Sequence, residues 1–365
     1  MRIVSPLLKH VVYPTLSKSG ILRLAAGKGV AVVTYHGVLP SGYKSIDAGL
    51  DGNLVTAENF LRQLRLLKAK YDVISPEDLL AWCEKKTELP PRAVLLTCDD
   101  GLLNHVTDML PLLQEVGLRC LFFVTGLSAG DDTAMLWYEE LFLILIDAAA
   151  GPLEALGPDI EIRGNLGTRE ERRAIWWNAV KQLSKVNWEA RRAFIQELRV
   201  ELGLGDSGKA MLGGGDAWRR RFLLMTRADL PSLLAGGMTI GAHTVTHPRL
   251  SCSTSALAES EIRECKRLLE TAIGDRVWAF AYPFGDPESV SAEVLGMAEV
   301  AGYEMACLNF GGGLGATLPR FAMPRIHVTS TMSLGELEAH VAGFYTTLQR
   351  VAQRETPPAT AAVDD

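Results

Sequence analysis

No two cysteines in this 365-residue chain are spaced as a CxxC pair; the six stand at positions 83, 98, 120, 252, 265 and 307. That scatter excludes a zinc-finger framework and a small disulfide scaffold, and it reads as buried thiols in a reducing compartment. A run of 18 apolar residues is also missing, so no segment qualifies as a membrane-spanning helix. The best apolar stretch, 141–150, is short and contains Asp147. The N-terminus lacks a signal-peptide pattern, because Lys9, His10, Pro14 and Lys18 interrupt what would be its apolar core. The expected location is therefore the cytoplasm. A basic excess is absent too: 37 Lys+Arg against 43 Asp+Glu leave a net charge of −6, which argues against a nucleic-acid partner. With 48% hydrophobic and 22% charged residues, the chain is neither disordered nor collagen-like. No internal repeat is present.

Acidic residues are missing from the first 46 positions, while Arg2, Lys9, Lys18, Arg23, Lys28 and Lys44 all precede Asp47. Ile3, Leu7 and Val11, and likewise Val4, Leu8 and Val12, repeat every four residues and form one apolar helical stripe. Two readings follow: a terminal helix docked on its own domain, or a basic amphipathic helix lying on the anionic inner face of a membrane.

From residue 30 the pattern alternates strand and helix. Val30–Thr34 and Ala93–Thr97 are continuous apolar runs, the mark of strands buried on both faces. Thr56 and Ser75 can cap helices, and Gly117 stops one before a strand at Arg119–Thr125. The alternation breaks after Gly126. Residues 128 to about 222 read as helices joined by polar loops, at Trp137–Ala150, Arg169–Ser184 and Trp188–Leu202, followed by a glycine-rich break at Gly203–Gly215. The rhythm resumes with Thr226 as a cap, strands at Met238–Ala242 and Val277–Ala281, and helices over Ala256–Ile273 and Val290–Ala301. Short strands follow near Met305 and Arg325, then a last helix over about Ser333–Gln349 and a loose tail from Glu355. Such alternation predicts a parallel sheet wrapped by helices.

Two constellations carry chemistry. Asp99 and Asp100 are adjacent carboxylates directly after a buried strand, where parallel sheets and barrels place active sites. Neighbouring acids repel unless a cation or proton is shared, although an Asp-Asp-Gly turn can also simply cap the next helix. His243 and His247 follow another strand and face one side if the segment between them is a helical turn. One Asp and two His leave open positions on a metal for water and substrate.

Thr97-Cys98-Asp99-Asp100-Gly101 resembles the Thr-Phe-Asp-Asp-Gly motif of the polysaccharide deacetylases, carbohydrate esterase family four. His243–Pro248 resembles that family's His-Ser/Thr-x-x-His-Pro motif, and Phe280-Ala281-Tyr282-Pro283-Phe284-Gly285 its third motif. The three occur in the family's order. The resemblance implies an α/β fold, a distorted, incomplete (β/α) barrel of the polysaccharide deacetylase type, here with an α-helical insertion. It implies that Asp100, His243 and His247 bind a divalent metal, often zinc, and that Asp99 is the base that activates water against an N-acetyl group on a sugar. Pro283, Phe284 and Gly285 would line the substrate, with a backbone N–H near Phe284 at the oxyanion.

Departures matter as well. The family's third motif normally carries an Arg that orients the catalytic Asp; here the position is Ala281, and Arg325 is the candidate replacement from a late strand. This form of the motif resembles a branch acting in exopolysaccharide and biofilm synthesis. Two histidines compete as general acid: His327, and His36 in Thr34-Tyr35-His36-Gly37. For either, the alternative is a buried histidine bonding a backbone carbonyl. His105 reads as structural. The 143 residues from Asp100 to His243 exceed the usual family gap, and the block 128–221 accounts for it. That block holds Trp137, Tyr138, Trp176, Trp177, Trp188, Trp218 and the cluster Arg219–Arg221. Trp137 and Tyr138 are expected at the substrate and the arginines at a phosphate, unless the aromatics only pack the block's own core.

The expected organisation is a basic segment 1–29, a barrel from 30–127 and 222–330, an insertion 128–221, and a C-terminal helix and tail 331–365. The expected activity is metal-dependent N-deacetylation of an amino-sugar saccharide, with a lipid-linked precursor as one candidate. A deformylase on the same scaffold and a catalytically silent carbohydrate-binding protein are the other readings.

Overall fold

The computed structural model describes residues 8–22, 29–132, 134–204, 215–315 and 317–344. Ile3, Val4, Leu7, most of the glycine-rich break and the tail from Glu355 lie outside these residues. Twelve strands are labelled in chain order: β1 (Gly29–Tyr35), β2 (Val38–Leu39), β3 (Val55–Thr56), β4 (Asp72–Val73), β5 (Arg92–Cys98), β6 (Leu121–Val124), β7 (Pro152–Gly157), β8 (Ile160–Asn165), β9 (Thr239–Ala242), β10 (Ala279–Ala281), β11 (Met305–Gly311) and β12 (Met323–His327). Seven of them pair in parallel in the order β1-β12-β11-β10-β9-β6-β5, and β5 returns to β1 to close the ring; β4 pairs with the start of β5 outside it. This is the distorted (β/α) barrel, with seven strands in place of eight.

The pleat explains the core. Side chains alternate across a strand. Val30, Val32, Ala93, Leu95, Leu121, Phe123, Ala279, Ala281, Met305, Cys307 and Met323 form one buried cluster inside the ring. Their neighbours Ala31, Val33, Val94, Leu96, Phe122, Val124, Phe280 and Ile326 pack outward against the helices. Strands apolar on both faces therefore read as continuous runs in the sequence. The helix starts also follow local chemistry: Thr56 caps Ala57–Lys70, and Ser75 with Asp78 forms a capping box at Pro76–Cys83. Thr226 is not a cap; its N–H and hydroxyl both donate to Asp229, and the helix begins later, at Leu230.

The insertion is not all helical. Between its helices Trp137–Asp147 and Arg169–Leu183, β7 and β8 form an antiparallel hairpin. Leu153, Ala155, Ile160 and Ile162 alternate with polar or exposed positions, a period of two that marks strands. The buried side of the hairpin packs with Trp137, Leu141, Ile144, Ile175, Val180, Phe194 and Leu198 into a core separate from the barrel's.

The described N-terminal segment docks inward. Tyr13, Leu22, Leu8 and Leu16 pack with Ala339, Ala342 and Phe344 at the helix Leu334–Val341, and Lys70 and Ser17 both bond Glu338. Val11 and Ile21 remain exposed.

Arg220 and Arg221 do not wait for a phosphate. Arg220 pairs with Asp108 and Asp216. Arg221 is fully buried and bonds Asp51 at 2.7 Å and Glu139 at 2.9 Å, tying the loop after β2 to the insertion. Asp47 in the same loop pairs with Arg169 and Arg173. Replacing Arg221 would leave two buried carboxylates without a cation. Arg221→Met is therefore expected to lower unfolding stability by about 3–5 kcal/mol in urea titrations. A loss no larger than that of an exposed Arg219→Met control would contradict the bridging role.

Candidate active site

Register places the site. Tyr35 aligns with Cys98, Thr34 with His327, Val124 with Ala242, and Ala281 with Cys307, so the strands end on one rim. The residues just past those ends are His36, Asp99, His243 and Tyr282. Continuing the alternation, Thr97, Asp99 and Arg325 share the inward parity of Leu95 and Met323. The carboxylate and the guanidinium therefore meet in the barrel mouth.

Arg325 donates to Asp99 through both terminal nitrogens, at 2.7 and 2.5 Å, and it also bonds Thr97 Oγ1 and the Leu308 carbonyl. Both partners are buried. Burial alone would raise the Asp99 carboxyl; the charge and hydrogen bonds of Arg325 lead the groups that outweigh it and hold it below its ordinary range. This bidentate pair fixes the orientation of Asp99 as well as its charge. Its partner comes from β12, two strands beyond Ala281.

Asp100 faces the other way, toward two imidazoles. Its Oδ1 lies 3.5 Å from His243 Nε2 and 3.2 Å from His247 Nε2, and the three ligand atoms fall within 4.8 Å of one another. His243 Nδ1 lies 2.8 Å from the Ala281 carbonyl; as the donor there it leaves the Nε2 lone pair facing Asp100. Burial pushes His247 down, toward its neutral ligating form. Burial would raise Asp100, but the two imidazoles set against its Oδ1 outweigh burial and hold it well below the carboxylate range. One oxygen and two nitrogens, all buried, fit zinc or a similar divalent metal. The segment between the histidines is not a helical turn. Thr244 and His247 take φ values of 60° and 59°, and Thr244 Oγ1 accepts the His247 N–H. These left-handed bends bring the rings to 4.9 Å between centroids.

The His36 and His327 rings pack at 4.8 Å between centroids, tilted by 45°. His36 Nδ1 and His327 Nε2 are buried and have no hydrogen-bond partner among the described residues. Burial and the neighbouring His36 push His327 down to about 3, so it is neutral. His105 is buried between Cys98 Sγ and the His36 carbonyl, and burial lowers it to about 4. It supports His36 from below.

Phe284 adopts φ 61° and sets its ring 5.0 Å from His247 and 5.6 Å from Tyr138. Gly285 follows at φ +60°, where a Cβ would meet Asn309 N at 2.6 Å, so the motif's glycine is required sterically. Buried Pro283 precedes them. Tyr138 packs against His247 at 5.0 Å between ring centroids, tilted by 43°. Trp137, expected at the substrate, is instead fully buried. Its N–H donates to the His247 carbonyl at 3.0 Å, and Arg191 covers its face. A ring enclosed on that face, with its polar atom engaged, positions His247 and leaves the substrate to Tyr138. Sequence reasoning missed the partners of this loop: Arg191 bonds Thr246 Oγ1 at 3.0 Å, and Glu261 accepts the Thr246 N–H. Only a three-dimensional contact joins residues 55 positions apart, so no local signal marked them.

A parallel (β/α) barrel with three convergent side chains able to hold a metal ion at its C-terminal mouth defines the class of protein. The comparisons narrow it. Residues 173–306 match the family described as polysaccharide deacetylase, a match that includes the second and third motifs. The Bacillus subtilis (strain 168) protein YxkH, provisionally named a polysaccharide deacetylase, is 25% identical over 117 residues, covering 32% of this chain and 41% of that protein. The chain thus aligns with about two fifths of the length of that relative. Among solved structures, the Streptococcus pyogenes deacetylase PplD, in complex with acetate, superposes with a TM-score of 0.54 at 16% identity, over 86% of this chain and 99% of that one. IcaB from Ammonifex degensii gives 0.52 at 16% identity, over 87% and 98%. Residues 173–306 are thus similar to the polysaccharide deacetylase family, and the solved structures share this chain's barrel fold.

The geometry separates the two neighbouring aspartates experimentally. Purified chain dialysed against zinc should hold about one metal by elemental analysis. Asp100→Asn and His243→Ala should lose it, and Asp99→Asn should retain it. Equal loss from Asp99→Asn and Asp100→Asn would contradict the assignment.

Proposed function

We propose that this protein is a metal-dependent hydrolase that removes N-acetyl groups from amino-sugars of a saccharide. The carrying observation is the pairing of two differently partnered carboxylates in one buried mouth: Asp100 with two imidazoles and Asp99 with Arg325. A divalent metal held by Asp100, His243 and His247, zinc by its donor set, would polarise the acyl carbonyl and acidify water. Asp99, kept ionised by Arg325, accepts the proton of the attacking water through lone pairs that Arg325 leaves free. His36 donates a proton to the departing sugar nitrogen, since His327 is held neutral beside it. The backbone N–H at Phe284 faces the developing oxyanion, and the Phe284 and Tyr138 rings exclude water from the acyl group. The products are acetate and the free amine. The six basic residues ahead of Asp47 support a lipid-linked substrate met at the cytoplasmic membrane face as the setting of this reaction, through charge alone, since apolar side chains of the segment 8–22 pack on the chain's own C-terminal helix.

Zinc-loaded protein is expected to release acetate from soluble N-acetylglucosamine oligomers. Release of formate from the N-formyl analogue alone would favour the deformylase reading, and release of neither would favour a silent binding protein. His36→Ala should remove the basic limb of the pH–rate profile; if His327→Ala does so instead, the roles are reversed.

Arg325 gives a second pH test. Its charge opposes the effect of burial on Asp99. Arg325→Met should therefore raise the Asp99 carboxyl and move the acidic limb of the pH–rate profile to higher pH. An unshifted limb would remove Asp99 from the role of base.

A further inference from the structure

The chain has seven tryptophans, and those of the insertion differ in what they leave exposed. Trp137 is sealed. Trp176 is half-buried with its N–H on the Tyr138 carbonyl. Trp188 is half-buried under Arg192, and Trp218 is half-buried against Tyr43 and Phe222. Trp177 alone among them is exposed, at 40% of its surface. Its indole N–H makes no hydrogen bond among the described residues. A solitary exposed apolar residue is ordinary. Trp177 is distinguished by its place in a row of rings. His247, a candidate metal ligand, lies 5.0 Å from Phe284, and Phe284 lies 6.4 Å from Trp177. Trp176 backs Trp177 at 4.5 Å and holds it in place.

We propose that Trp177 is the stacking platform for a sugar ring next to the one that loses its acetyl group. This rests on the deacetylase reading and deepens it: the substrate is then an oligosaccharide or polysaccharide, held at more than one ring. The aromatic row runs outward from the metal-ligating histidine, so a chain with its acetamide over His247 and Phe284 passes Trp177 next. An indole suits this position, because its face meets the C–H side of a pyranose and its free N–H can donate to a ring substituent. The insertion thereby adds a contact for chain length, separate from the chemistry at Asp99 and Asp100.

The test compares a monomer with a pentamer of N-acetylglucosamine. Wild type should favour the pentamer in kcat/KM. Trp177→Ala should reduce that preference about tenfold through KM, and Trp177→Phe should restore most of it. A wild-type length preference in Trp177→Ala overturns the proposal. Binding is read without turnover by titrating the pentamer into Asp99→Asn and following tryptophan fluorescence. A quench that disappears in Asp99→Asn/Trp177→Ala supports the platform, and unchanged quench and affinity overturn it. Pentamer binding that depends on Trp177 without acetate release from wild type would count against the deacetylase reading while supporting the platform.

Discussion

Burying two adjacent carboxylates at the mouth of an apolar barrel costs several kcal/mol for each ion unless opposite charge and hydrogen bonds compensate. Much of what surrounds Asp99 and Asp100 answers that cost. Asp99 takes a bidentate guanidinium from β12. Asp100 takes two imidazoles from the segment after β9. Because the compensating groups differ, the two acids have different chemistry despite adjacent positions in the chain. One is a buried carboxylate held and oriented by its guanidinium partner. The other faces two imidazole nitrogens, a donor set that could hold a divalent cation.

The insertion takes part in this arrangement. Trp137 bonds the His247 backbone, and Arg191 links Trp137 to Thr246, which Glu261 grips from the helix Ser255–Ile273. Ser184 accepts the Arg249 N–H at the end of the same loop. Arg221, Asp51 and Glu139 fasten the opposite side to the loop that follows β2. A block that adds bulk alone would need none of these bonds. Its own core forms a rigid base, and its contacts with the second motif make it part of the site's frame.

Strands buried on both faces were legible in the sequence because the barrel gives them unbroken apolar runs, as in Val30–Thr34 and Ala93–Thr97. The convergence of the candidate site residues was legible through three motifs at strand ends, and that of Arg325 through the gap that Ala281 leaves in the third. The hairpin β7–β8 was not, since six-residue strands with Gly157 and Gly164 inside them give a weak period of two. The direction of Trp137 was hidden as well. Composition places an aromatic in the block, but only the fold decides whether its ring meets substrate or the backbone of His247. Arg191 and Thr246 carry no mark at all, because a single hydrogen bond between distant elements leaves no spacing to read.

The backbone shows how a strand of period two can present both acids to one mouth. Asp99 continues the inward parity of β5; Asp100, one residue on, would point outward among the helices. A φ of 84° at Asp100 turns the chain back, and Gly101 continues at 85° where a Cβ would press on Val124 at 2.9 Å. Thr244, His247 and Phe284 are also left-handed, so four of the six non-glycine residues with positive φ among those described stand at this site. Each such residue costs roughly 1–3 kcal/mol and persists only where its surroundings over-determine it. The bonds from Trp137, Arg191 and Glu261 supply that over-determination for the histidine loop. Strain at the rim and the insertion's contacts with it are therefore two sides of one requirement: ligands from different strands must converge on a point that regular strand geometry alone does not reach.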